Sequence, residues 1–151
     1  AAGGVVKKSQ KGAHIGIAKV IEINSNGLSH PIYKNKKLSF NTPAFNFDEV
    51  VTLPDSATLL ASNQINKVQG IEFQMGVSRI WGIQYHPEIT YEKMISLINF
   101  RRDRLINFRK VFKKESDIDI HIENIKQEIQ NTNKDSRMQE LKNWLYHINE
   151  N

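Results

Sequence analysis

The chain has no cysteine in its 151 residues. That excludes a disulfide scaffold, a thiolate metal site and a sulfur nucleophile supplied by these residues. Proline is scarce, at four, and glycine numbers only eight, so neither a proline-rich linker nor a low-complexity glycine tract is present. No apolar run approaches the roughly 18 residues of a membrane span. The opening Ala1-Ala2-Gly3-Gly4 carries neither an initiator Met nor a signal-peptide pattern. What is present is a composition of 39% apolar and 25% charged residues, enough for the packed core of one ordinary domain.

Charge is distributed unevenly. Residues 1–92 carry 9 basic and 7 acidic groups, residues 93–114 carry 8 basic groups and one acid (Asp103), and residues 115–151 carry 4 basic and 8 acidic groups. A basic helix followed by an acidic segment reads as a solvated face partly neutralised by its neighbour. Aromatic residues do not interleave with the basic ones as base stacking requires, so nucleic acid is not an expected partner, and no membrane partner is expected either.

The first ninety residues have the pattern of short strands. Val5-Val6, His14 to Ile23, Leu38 to Phe40, Val50-Val51, Thr58 to Ala61 and Val68 to Phe73 are β-rich runs, and Asn24 to Gly27 is a turn signal. Arg79 to Tyr85 is the most continuous, predicted as a buried strand. After it the period changes. Met94, Leu97, Ile98, Leu105, Phe108 and Phe112 recur at helical spacing, predicting a helix from Tyr91 to about Lys113 capped by Thr90. Ser116 to Asp119 resembles a capping box for a second helix with the stripe Ile118, Ile122, Ile125 and Ile129. Met138, Leu141, Leu145 and Ile148 mark a third.

The sharpest local feature is Trp81-Gly82-Ile83-Gln84-Tyr85-His86-Pro87-Glu88. A strand ends, and a His and a Glu follow two residues apart. Pro87 fixes φ between them. Ligands of a parallel α/β sheet bind beyond the carboxyl ends of its strands, and a carboxylate beside a His can set its tautomer and leave the other nitrogen for a nucleophile. By spacing alone His-x-Glu is weak evidence, and a lone pair of this kind is more often structural. His14, His30, His121 and His147 are scattered and read as surface or helix-face residues. Asp48-Glu49 reads as a structural charged rim, Trp81 and Tyr85 as core packing, and Gln84 as a packing or hydrogen-bonding residue. Glu72 is a weaker candidate for approaching the pocket.

The segment Gly82-Ile83-Gln84-Tyr85-His86-Pro87-Glu88 resembles the signature of class I glutamine amidotransferases. The similarity extends through Ala1 to Val6, Lys11 to Gly16, Ala44 to Val50, Leu53-Pro54, Leu60 to Asn63 and Val68 to Glu72, and the ending Arg137 to Leu145 resembles the C-terminal helix of stand-alone relatives of the GMP synthase glutaminase domain. The resemblance implies an α/β, flavodoxin-like three-layer domain. Residues 1–114 would form its C-terminal part, without the first strands and helices, and 115–151 a helical extension. It implies a Cys-His-Glu triad with His86 and Glu88 as two members, glutamine as substrate, a possible ammonia-accepting synthetase domain or subunit, no cofactor and a cytoplasmic setting. The nucleophilic Cys would precede Ala1, so this chain alone is expected to be inactive. Asn46 stands where many relatives place a His. The alternative is a non-catalytic, amidotransferase-like regulatory or binding subunit.

Overall fold

The computed structural model describes residues 2–150, so of the matched segments only Ala1 lies outside it. The described residues form nine strands, all but one of which, Phe45–Asn46, overlap the β-rich runs. β1 (Val5–Lys8) pairs with β6 (Asp48–Thr52), and β2 (His14–Ile15) with β5 (Phe45–Asn46). The main sheet is built from β3 (Ala18–Ile23), β4 (Ser39–Thr42), β7 (Thr58–Ser62), β8 (Gly70–Met75) and β9 (Ser78–Ile83), in the order β4-β3-β7-β8-β9. Every pairing among the described residues is antiparallel. The turn signal at Asn24 to Gly27 becomes the short helix α1 (Ser25–Leu28). Together with the helices this is the mixed α/β architecture anticipated from the sequence. The parallel partners of a flavodoxin-like sheet are not among the described residues.

Two apolar cores hold the body together. One gathers Ala18, Ile21, Ile23, Ile32, Tyr33, Ala44, Leu60, Ala61 and Tyr85. The other core joins Ile15 and Ile17 to α2 (Tyr91–Phe100) and α3 (Glu115–Asn131) through Tyr91, Ile98, Leu105, Ile118, Ile122 and Ile125. The isoleucine stripe of α3 faces inward as its period requires, each fully buried side chain contributing about 1.5–3 kcal/mol. Among the described residues, no helix is long and apolar enough to cross a membrane.

The helical region departs from the pattern in three places. The first is the predicted helix 91–113. Thr90 caps it, its hydroxyl accepting from Lys93 N at 3.3 Å, but α2 stops at Phe100 and a π-helical turn follows at Arg104–Phe108. Phe108 is thereby turned outward, 77% exposed, while Leu105 stays buried. The second is the start of α3. Asp117, rather than Asp119, accepts from the backbone N–H of Lys113 and Lys114, two residues earlier than expected. Asp119 is free to bind Arg102, which also binds Glu115. Part of the basic segment is thus neutralised by the acidic one. Arg101 and Arg109 lie over the Phe45 and Phe47 rings, so they too cover the body's surface.

The third is α5 (Gln139–Glu150), which follows the short α4 (Lys134–Arg137). The expected apolar stripe turns partly out, with Leu145 and Ile148 exposed, whereas Glu140 and Asn143 are buried. The body presents polar groups here. The Asn143 amide donates to the carbonyls of Ile32 and Lys34, both at 2.8 Å, and Glu140 meets Lys36 and Tyr85. Satisfied polar groups outweigh the stripe's preference for burial.

Gly16 ties the matched segment Lys11 to Gly16 to this packing. It sits at φ +84°, and a Cβ there would meet the Cδ1 atoms of both Ile98 and Ile125 at 2.8 Å. Gly16→Ala is therefore expected to destabilise the fold by about 2–4 kcal/mol, combining left-handed strain with overpacking. The shift of the urea unfolding midpoint measures it.

Candidate functional site

β8 and β9 form a hairpin whose two-residue turn begins at Gly76, at φ +59°. Regular pairing of β9 ends at Ile83, two residues short of the predicted strand, although Gln84 N still donates to Gln69 O at 3.0 Å. Beyond it the backbone is held twice. His86 N donates to Pro43 O at 2.8 Å, and Ile89 N donates back to His86 O at 3.2 Å, closing a turn around Pro87 and Glu88. The chain now alternates. Tyr85 and Pro87 are buried, while the side chains of His86 and Glu88 are 41% and 51% exposed.

His86 Nδ1 lies 2.9 Å from Glu88 Oε1. An ionised carboxylate only accepts, so Nδ1 carries the hydrogen, and in the neutral ring Nε2 is left as the acceptor. The pair that spacing could only suggest is therefore in contact, on a half-open surface, with one defined imidazole nitrogen available for proton transfer. Neither His86 nor Glu88 lines either of two clefts of the body. One of about 600 Å³ is lined by His30, Asn143 and His147, and a more apolar one of about 430 Å³ by His14, Phe112 and His121.

The turn is supported from below by groups distant in sequence. The Tyr85 hydroxyl donates to Glu140 Oε1 at 2.7 Å and lies 3.2 Å from the Tyr33 hydroxyl. Lys36 Nζ donates to Glu140 Oε2 at 2.8 Å and to Ser136 O at 2.7 Å. Burial raises the pKa of both tyrosines, keeping the hydroxyls protonated as donors. It lowers that of Lys36, against the opposing pull of the Glu140 carboxylate. Arg137 donates to the carbonyls of Pro87 and Ile89. The sequence reading missed Arg137, Glu140 and Lys36. The Arg-x-x-Glu spacing at 137 and 140 was visible, but such a pair ordinarily reads as a solvated ion pair on one helix face.

The other histidines do not join the pair, and two were misread as surface residues. His14 is buried. The Gln69 amide donates to its Nε2 at 2.9 Å, and desolvation lowers its pKa, so it stays neutral. His30 is buried too, its Nδ1 accepting from Ile32 N at 3.2 Å. His121 contacts Ile15 O at 2.6 Å and His147 packs on Trp81. Glu72 is engaged by Arg79 and lies beside His30 rather than His86. Gln84 bridges Asn66 and the carbonyl of Asp48, the hydrogen-bonding role anticipated for it. Asn46 pairs with His14 across β5 and β2 and donates to Asp48 O at 3.0 Å. Among the described residues, no group of three or more His, Asp or Glu side chains is arranged to hold a metal ion.

The same architecture occurs in a glutamine amidotransferase from Thermotoga maritima. The TM-score is 0.64 at 18% identity, over 93% of this chain and 54% of that one. This chain has the glutamine amidotransferase fold. Among curated relatives, the amidotransferase-like chain is 30% identical over 109 residues to one subunit of a glutamine-hydrolysing GMP synthase from Methanococcus vannielii, covering 72% of this chain and 51% of the relative. It is 39% identical over 70 residues to a γ-glutamyl-L-1-hydroxyisopropylamide hydrolase from a Pseudomonas species, covering 46% of this chain and 23% of that enzyme. The chain thus spans about half the length of one curated relative and about a quarter of the other. No family model matches it.

His30 has a consequence for stability. Its pKa is lowered to about 4, by burial first and then by the charges of Arg79 and His147. Glu72 Oε2 lies 2.9 Å from Nε2, but not in hydrogen-bonding alignment, and Arg79 already engages that carboxylate. A histidine near 6.5 when unfolded and near 4 when folded binds more protons in the unfolded state between those values. Its contribution is therefore full above pH 6.5 and is lost as pH falls toward 4. His30→Asn, whose side-chain oxygen can replace Nδ1 as acceptor, is expected to lose less stability than wild type between pH 7.5 and pH 5. Urea denaturation at the two pH values measures the difference.

Proposed function

We propose that the chain is part of an enzyme that hydrolyses the side-chain amide of glutamine, with His86 and Glu88 as two members of a triad whose sulfur nucleophile lies outside these 151 residues. The observation that carries the proposal is the 2.9 Å contact between His86 Nδ1 and Glu88 Oε1 on the turn after β9, with both side chains reaching solvent. Support also comes from the likeness to one component of a glutamine-hydrolysing synthase and to a hydrolase of a γ-glutamyl amide.

In this reading His86 Nε2 takes the proton of the incoming thiol, and the thiolate adds to the amide carbon of glutamine. Glu88 holds the imidazole in the required tautomer and stabilises its cation. Collapse of the tetrahedral adduct breaks the C–N bond, and the proton on Nε2 leaves with ammonia. Water then attacks the γ-glutamyl thioester, giving its proton to Nε2. Cleavage of the C–S bond releases glutamate, and that proton returns to sulfur. The nucleophile and the oxyanion donors would come from the segment that completes the site. Ammonia would pass to an acceptor on another domain or on a partner synthetase, as the likeness to the GMP synthase component suggests.

The test uses the full-length protein whose reading frame includes the nucleophile. His86→Ala is expected to lower glutamate release by about 10²–10⁴-fold while the fold persists, the range associated with a positioned acid–base group. Retained turnover would sink the proposal. Glu88→Gln is expected to reduce kcat at least about tenfold with a smaller change in KM, because it disturbs the imidazole rather than the substrate contacts. A full-length protein that binds a synthetase yet releases no ammonia from glutamine would instead favour a non-catalytic role.

A further inference from the structure

We propose that Arg137 is a positioning residue for the His86–Glu88 pair, acting through the two backbone carbonyls that frame Glu88. The inference rests on the catalytic reading of that pair. Arg137 ends α4 and is 9% exposed. Its Nη1 donates to Pro87 O and, at 2.9 Å, to Ile89 O. One guanidinium nitrogen carries two hydrogens, so both carbonyls can be held at once.

The position of those carbonyls matters more than their number. Pro87 O belongs to the peptide unit that enters Glu88, and Ile89 O to the unit by which the chain leaves the turn. Holding both restrains the backbone on each side of the carboxylate. The Glu88 side chain itself is half exposed, so packing alone does not select its rotamer. Its direction toward His86 depends on where its Cα is placed. Three residues after Arg137, the buried Glu140 takes the Tyr85 hydroxyl at 2.7 Å. The C-terminal helices therefore grip positions 85, 87 and 89, and positions 86 and 88 are the ones left to face outward. A catalytic pair on a short exposed turn needs such support, since a displacement of about 1 Å can reduce turnover about 10²-fold.

A merely structural role, docking α4 and α5 on the body, predicts a different outcome from positioning. In the full-length protein, Arg137→Met keeps much of the aliphatic stem and removes both donors. We expect its kcat for glutamine hydrolysis to fall about 10²-fold with KM within threefold. Arg137→Lys should recover part of the loss, because a shorter ammonium can still reach a carbonyl. Hydrogen–deuterium exchange over residues 84–90, where the N–H groups of His86 and Ile89 report on the turn, should quicken in Arg137→Met. A folded Arg137→Met protein with kcat within twofold of wild type overturns the inference, as does a rise in KM at constant kcat. If Arg137→Met does not fold, Arg137→Lys decides: reduced kcat at unchanged KM supports positioning, and kcat within twofold of wild type overturns it. Failure of the catalytic reading is seen separately, as turnover that survives His86→Ala. Exchange over 84–90 then decides the clamp alone: faster exchange in Arg137→Met upholds it and unchanged exchange overturns it.

Discussion

A buried carboxylate, Glu140, sits where three parts of the chain meet. It accepts the Tyr85 hydroxyl from the segment after β9 and the Lys36 ammonium from the loop before β4, and it is carried by the helix that closes the chain. Burying a charge is costly unless its lone pairs are taken up, and here both oxygens are. Such a pair adds little net stability compared with apolar packing. Its effect is on register: a C-terminal helix shifted by one residue would leave an uncompensated charge in the interior. The polar face of α5 is thereby selected over its apolar stripe.

That selection sets the geometry of the candidate site. With Tyr85 fixed from below and the carbonyls of Pro87 and Ile89 held by Arg137, the odd-numbered residues of the turn are anchored. His86 and Glu88 are left on the outer side and in contact. The backbone around them is held by residues fifty positions later as well as constrained by Pro87. The half-open surface around them is consistent with the proposed site being completed by other residues, and neither His86 nor Glu88 lines the clefts of 430 and 600 Å³.

Much of this was legible in the amino-acid order. Strand runs, the switch to helical period after Glu88, the Thr90 cap and the isoleucine stripe of α3 are local signals, and they appear in the structure close to where they were read. The His-Pro-Glu turn was legible as well, because proline constrains φ whatever surrounds it. The errors share a cause. His14 and His30 are buried although histidines at such positions ordinarily read as surface residues, because each meets a specific partner, Gln69 for one and the Ile32 N–H for the other. The helix 91–113 was read as continuous because its apolar period continues, although α2 gives way to a π-helical turn that keeps Leu105 inside and releases Phe108.

Sequence by itself determined where most strands and helices lie and which two side chains stand on either side of Pro87, because these follow from periodicity and from one restricted dihedral. Tertiary structure alone decided that α5 buries Glu140 and Asn143, that Arg137 reaches the turn, and that Asp117 rather than Asp119 caps α3. The reason is physical. Periodicity records how apolar a face is, whereas the burial of a charge depends on partners that only folding brings within hydrogen-bonding distance.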